Sequence, residues 1–172
     1  MSVKEGFLTA ETLRKVLFYD PETGAFTRLS GGRSRPDLVG TKAGSARQRD
    51  GRTYVTISVA CVDYQAHRLA WLYMTGVWPS KFIDHINGDG ADNRFANLRE
   101  ATPSENARNA KTRRTSRVGL KGVRISRVGR FEAWIYIRGK SVSLGTFKTE
   151  QSAHVAYVKA AKEHFGTFAR LA

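Results

Sequence analysis

Apolar and polar positions change period several times along the chain, and each change predicts an element. In residues 9–18, TAETLRKVLF, Leu13, Val16 and Leu17 stand at helical spacing behind Thr9, a residue suited to an N-cap. Tyr19-Asp20-Pro21-Glu22-Thr23-Gly24 then reads as a stop and turn. From Ala25 to Ala66, stretches of Gly, Arg and Ser mix with β-rich pieces. The clearest is YVTISVA at 54–60, where Val55, Ile57 and Val59 alternate with polar residues, so a small antiparallel sheet is predicted here. Residues 67–75, HRLAWLYMT, predict a short buried helix ending at Gly76, with Pro79 ahead of a strand, KFIDHI. A turn-rich run, NGDGADNRFAN, follows, then LREAT. At Thr102-Pro103-Ser104-Glu105 a second helix begins, with Thr as cap, Pro in the first helical position and Glu three after the cap.

Residues 121–147 break into three strands, KGVRIS, RFEAWIYIR and KSVSLGTF, with turns at Val128-Gly129 and Arg138-Gly139. Alternation puts Val123, Ile125, Phe131, Ala133, Ile135, Ile137, Val142 and Leu144 on one face. Arg124, Ser126, Arg130, Trp134, Tyr136, Arg138, Ser141 and Ser143 fall on the other, which is basic, aromatic and hydroxyl-rich. A helix from Thr149-Glu150 carries Ala153, Ala156, Tyr157, Ala160, Ala161 and His164 as a narrow stripe, small enough to lie close on the apolar sheet face. The predicted class is α+β. Residues 1–110 form a first domain, the basic stretch 111–118 a linker, and 119–172 a second domain.

Composition sharpens this picture at two points. The net charge is +14, and residues 111–172 hold 14 Lys and Arg against 3 Asp and Glu, whereas residues 1–110 hold 15 against 12. A field of that sign attracts nucleic acid first and anionic membranes second. No apolar run long enough to span a bilayer and no signal peptide is visible, so a membrane role and secretion are not expected, and a cytoplasmic location is. Cys61 is the only cysteine, which rules out an intramolecular disulfide and a cysteine-rich zinc knuckle.

Candidate chemistry concentrates in residues 82–109, FIDHINGDGADNRFANLREATPSENARN. Asp84 and His85 end an apolar strand, Asn97 follows in the loop, and Asn106 lies on the helix begun by Thr102. Phosphodiester hydrolysis needs a base for water and a cation against the developing charge. His85 suits the first task because an unperturbed imidazole, with a pKa of about 6.5, is mostly neutral at cellular pH. Asp84 and Asn106 offer oxygen donors for a hard ion such as Mg²⁺. Adjacent strand residues face opposite sides, so Asp84 and His85 address one spot only if the strand ends or bulges there. His67 and Arg68 are candidates for phosphate contact, with capping or packing as the plainer role for His67. Asp89, Asp92 and Asn93 read as turn formers, and His154 and His164 as surface or packing residues.

Asp-His, then Asn-Leu, then Ser-Glu-Asn resembles the HNH motif of phage and intron homing endonucleases with a ββα-metal fold, most sharply over 67–109. That resemblance implies Asp84 and Asn106 as ligands of Mg²⁺ or Mn²⁺, His85 as general base, and Asn97 as a brace for the His85 loop. Residues 119–169 resemble the plant ethylene-response-factor (Apetala-type) DNA-binding domain through Gly122-Val123-Arg124, Phe131-Glu132-Ala133, Leu144-Gly145-Thr146-Phe147, Ala156-Tyr157 and Ala160-Ala161. The implied major-groove contacts are Lys121, Arg124, Ser126, Arg130, Trp134, Tyr136, Ser141 and Ser143, with Arg138 beside them. Ser126, Tyr136 and Ser141 stand where plant proteins carry more arginines, so the target sequence does not transfer. The expectation is a monomer that cuts double-stranded DNA, nicking one strand. Its rivals are a non-catalytic DNA-binding regulator with a degenerate clip and an RNA-binding basic protein.

Overall fold

A computed structural model describes residues 6–31, 35–49, 51–109 and 118–169. Compactness divides the chain into two units, Met1–Thr102 and Pro103–Ala172. The division falls ahead of the expected linker, most of which lies outside the described residues, and it groups the helix bearing Asn106 with the C-terminal unit.

In the first unit, Thr9 caps α1 (Ala10–Val16) by accepting the Thr12 N–H at 3.2 Å. The chain then builds two three-stranded antiparallel sheets where one small sheet was predicted. One is β1 (Leu17–Tyr19), β2 (Phe26–Arg28) and β3 (Lys42–Ala43); the other is a meander of β4 (Ser45–Arg49), β5 (Arg52–Val59) and β6 (Val62–Gln65). Helix α2 (Ala66–Thr75) ends on Gly76 in the left-handed conformation, whose N–H bonds the Leu72 carbonyl. Leu13, Tyr19, Phe26, Ile57, Leu69 and Leu72 fill a single core under these elements. The last pair of strands, β7 (Phe82–His85) and β8 (Leu98–Ala101), is antiparallel with Asp84 opposite Arg99 and His85 opposite Leu98.

The second unit opens with α3 (Pro103–Asn109), beside the 3-10 turn Gly166–Phe168. Strands β9 (Val123–Ile125), β10 (Phe131–Ile137) and β11 (Lys140–Phe147) form a sheet with β10 in the middle, and α4 (Glu150–Phe165) lies across one face. Ala153, Ala160 and Ala161 bring α4 close to Val123, Ala133 and Ile135. A register shift between Ala133 and Trp134 sets Ala133 opposite Gly145 and Trp134 opposite Ser143, so Leu144 is the bulged residue. Alternation therefore sorts the central strand well and the margins less well. Ile125 and Val142, expected in the core, remain 48% and 40% exposed, because they lie where the narrow helix does not reach. His164, expected on the packed stripe, is exposed.

Candidate active site and nucleic-acid face

The β7–β8 ladder runs in register through His85, so no bulge turns Asp84 and His85 to one side. Asp84 accepts two bonds on Oδ2 from Arg99, from Nε at 2.9 Å and Nη2 at 2.8 Å, in a pair that is 5% and 15% exposed. On the opposite face, His85 is buried and its Nε2 lies 3.2 Å from Asn93 Oδ1. The strand does end at His85, whose carbonyl accepts the Gly88 N–H at 2.8 Å. Two adjacent residues of the motif are thus held by separate partners, an arginine for the acid and an amide for the base.

The amide decides the form of the base. Asn93 Nδ2 donates to the Ala91 carbonyl at 3.1 Å, which turns its Oδ1 toward the imidazole. An oxygen accepts, so Nε2 carries the proton and the basic lone pair belongs to Nδ1. Burial pushes the His85 pKa below its ordinary value, against the opposing influence of the Asn93 bond and of the Asp84, Asp89 and Asp92 carboxylates. The ring is therefore neutral at pH 7. Asn93, read as a turn former, is 2% exposed and also holds the His85 ring.

Asn97 holds the loop between His85 and β8. Its Oδ1 accepts the Asn87 N–H at 3.0 Å, its Nδ2 donates to Asn87 Oδ1 at 3.1 Å and to the Asp92 carbonyl at 2.8 Å, and its own carbonyl accepts the Ile86 N–H at 2.9 Å. Asp92 tightens the same loop through Arg94 and Asn87, each at 2.7 Å. The turn at 20–24 supports the loop from beneath: Tyr19 Oη donates to the Asn93 carbonyl at 2.7 Å and Phe95 N–H to the Pro21 carbonyl at 3.1 Å. On the loop's other side a Cβ on Gly90 would stand 2.4 Å from the Thr53 carbonyl and 2.7 Å from the Tyr54 ring, so only glycine permits this approach to β5.

His67, in the first turn of α2, sits behind the base rather than at a surface. Its ring meets the His85 ring nearly at right angles, 87°, with centroids 5.0 Å apart, and Tyr54 flanks both at 6.1 and 6.3 Å. Its Nδ1 is buried without a hydrogen-bond partner among the described residues. Burial, helped by the neighbouring His85 and Arg68 charges, lowers the His67 pKa to about 3. A buried neutral ring is a poor phosphate contact, and the placement fits the packing role, the plainer of the two read for His67. Arg68 donates to the Lys81 and Pro79 carbonyls at 3.3 and 3.4 Å and lies over the Trp78 ring, so it secures the approach to β7.

Asn106 lies on α3 in the second unit. Among the described residues no three His, Cys, Asp or Glu side chains are placed to share a metal ion. No helix there is long and apolar enough to cross a membrane.

In the sheet of the second unit, the face away from α4 carries exposed Arg124, Tyr136, Ser141 and Ser143. Arg130 and Arg138 are also exposed, while Lys121 and Ser126 are half-buried. Trp134 departs from the expectation of a free aromatic: it is half-buried beneath the Arg124 guanidinium, whose carbon lies 4.0 Å from a ring centroid of the indole. Glu132, read from the sequence only as part of the domain framework, ties both down, accepting from Arg124 Nε at 2.7 Å and Trp134 Nε1 at 3.1 Å. These two bonds hold the Glu132 carboxyl below the usual range.

An uncharacterised HNH endonuclease of Acanthamoeba polyphaga mimivirus is 31% identical over 121 residues, which are 69% of this chain and 63% of that protein. Protein 3.8 of Escherichia phage T7 is 39% identical over 62 residues, 36% of this chain and 51% of that protein. The chain thus spans less than two thirds of the length of either relative. No solved structure matches it. Residues 64–108, the segment holding His67, Asp84, His85, Asn93 and Asn97, match the family model described as HNH endonuclease.

Proposed function

We propose that this chain is a metal-dependent DNA endonuclease of the HNH homing type, hydrolysing one phosphodiester near a site gripped by its C-terminal sheet. The observation that carries the reading is the His85 imidazole, buried, neutral and fixed in one tautomer by Asn93, inside the segment that matches HNH endonucleases. His85 Nδ1 takes the proton from the water that attacks phosphorus, and Asn97 keeps the loop carrying Asn93 in place while it does so. The donor chemistry of Asp84, a carboxylate, fits a hard ion that keeps most of its waters, and this residue would hold it. When bound, Mg²⁺ or Mn²⁺ neutralises charge on the phosphate and on the departing 3′ oxygen.

Double-stranded DNA is the substrate, and the face bearing Lys121, Arg124, Ser126, Arg130, Trp134, Tyr136, Arg138, Ser141 and Ser143 docks it in the manner the Apetala-type resemblance implies. The basic stretch 111–118 adds phosphate contacts. One His85 serves one phosphodiester at a time, so a monomer nicks a single strand. The test is conversion of supercoiled plasmid with Mg²⁺, comparing the chain with His85→Ala. Open circles ahead of linear product, lost in the variant while DNA binding persists, are expected. Linear product first, at a rate rising with the square of protein concentration, refutes the nicking monomer, and equal loss of binding and cleavage refutes the role of His85.

A second reading, a non-catalytic DNA-binding regulator, has one observation in its favour: Asp84 is ion-paired to Arg99 on the face opposite His85. It predicts duplex binding with no cleavage at any concentration of Mg²⁺ or Mn²⁺.

A further inference from the structure

Glu132 is the only acidic residue in β9, β10 and β11, and it stands in the middle of a face otherwise lined by arginine, aromatic and hydroxyl side chains. On a surface that meets a polyanion such a carboxylate is a cost, and its ion pair with Arg124, whose side chain is 60% exposed, is of the kind that adds little to stability. The bond geometry gives another reason for it. Arg124 and Glu132 are cross-strand partners, and the carboxylate takes the guanidinium by Nε while also taking the indole N–H of Trp134. The guanidinium carbon is thereby held 4.0 Å from a ring centroid of the indole, and its Nη1 and Nη2 make no hydrogen bond among the described residues. Two parallel N–H donors presented on a rigid plane are the arrangement that pairs with O6 and N7 of guanine in the major groove.

Resting on the reading of this sheet as the DNA-docking face, we infer that Glu132 is a positioning residue that sets sequence specificity: it holds Arg124 against Trp134 with the Nη edge outward for a guanine, and keeps that guanidinium from settling on phosphates. Without Glu132 the arginine swings freely and becomes one more sequence-blind cation. The carboxylate therefore lowers affinity for DNA in general and raises the preference for one sequence.

The experiment starts with the full chain and a random duplex pool, from which the wild type enriches its preferred sequence. Affinities for the enriched and a scrambled duplex are then measured at fixed salt for the wild type, Glu132→Gln, Glu132→Asp and Arg124→Ala, with circular dichroism confirming the fold of each. For Glu132→Gln, about three- to tenfold tighter binding to scrambled DNA is expected, from the lost repulsion and the released arginine. The enriched-to-scrambled ratio should fall by about fivefold or more, the worth of one bidentate guanine contact. Arg124→Ala should lose the same ratio while binding scrambled DNA no tighter, and the enriched site should lose its preference at one guanine in both variants. Glu132→Asp, too short to reach both donors, should behave like Glu132→Gln in the ratio but not in scrambled affinity. An unchanged ratio in Glu132→Gln, or equal weakening on both duplexes, overturns the inference. A wild-type chain that binds no duplex or enriches no sequence overturns the docking face itself, a failure visible before any variant is made.

Discussion

His67→Phe should remove most of the acid sensitivity of the first unit between pH 7 and pH 4. His67 is 9% exposed, its Nδ1 lacks a partner, and its pKa in the fold is about 3. In the unfolded chain the same ring titrates at about 6.5, so below that pH the unfolded state binds a proton that the fold refuses. A depressed imidazole therefore contributes stability that is full above the unfolded value and lost as pH falls toward 3. At about 1.4 kcal/mol per pH unit, the loss is about 2 kcal/mol between pH 7 and 5 and about 3 kcal/mol by pH 4. Phenylalanine keeps a ring against His85 and has no proton to take up, so it deletes this share while leaving the smaller one of the same sign from His85. Asp92, held down to about 2 chiefly by its bond to Arg94, loses its share mainly below pH 4 and touches only the lower edge of the window. Urea unfolding at several pH values, in a Trp134→Phe background so that Trp71 and Trp78 report on the first unit, measures the difference. Parallel wild-type and His67→Phe curves from pH 6.5 to 4 would show that His67 is hydrated or hydrogen-bonded in solution and refute the reasoning.

Asn97→Ala removes three side-chain bonds from the His85 loop, so it should cost about 1–3 kcal/mol in urea unfolding and lower the cleavage kcat far more than it raises KM. Arg99→Met leaves the Asp84 carboxylate buried without its cation and should destabilise the first unit by about 3–5 kcal/mol; if Asp84 is a metal ligand, millimolar Mg²⁺ should restore part of the loss in a thermal melt and do little for the wild type. Gly122→Ala should cost the second unit about 2–4 kcal/mol, because φ is +76° there and a Cβ would fall 2.0 Å from the Tyr157 ring; a melting temperature within a few degrees of wild type would show that Tyr157 moves aside freely.

What the sequence made legible was whatever depends on near neighbours. The Thr9 cap, the Gly76 stop, the helix start at Pro103 and the three C-terminal strands all rest on short-range chemistry, and all are in the fold. Pairing across the fold was not legible. Nothing local distinguishes Asn93 from the turn residues around it, yet its amide fixes the tautomer of His85 because the Ala91 carbonyl happens to orient it. The Asp84–Arg99 and Arg124–Glu132 ion pairs were not legible either, since an ion pair is set by register and not by composition. His67 showed the same limit from the other direction: the residue was singled out, but only packing reveals that its ring is walled in behind His85.

The strand alternation that made Asp84 and His85 an awkward pair also explains why both survive burial. A carboxylate and an imidazole forced onto one face would hydrogen-bond each other, which would raise the imidazole pKa and spoil a neutral base. Placed on opposite faces of β7, each takes a partner that suits it: Arg99 balances the acid, and the uncharged Asn93 amide orients the base without supporting its protonated form as a carboxylate would. The arrangement has a consequence for catalysis. If Asp84 is the metal ligand proposed above, a cation and the Arg99 guanidinium compete for its carboxylate. Activity should then rise with Mg²⁺ well beyond the concentration that saturates phosphate, and Arg99→Lys, with a compact ammonium in place of a planar fork, should saturate at lower Mg²⁺ than the wild type. Identical Mg²⁺ titrations for the two chains would show that Asp84 is no ligand of the ion.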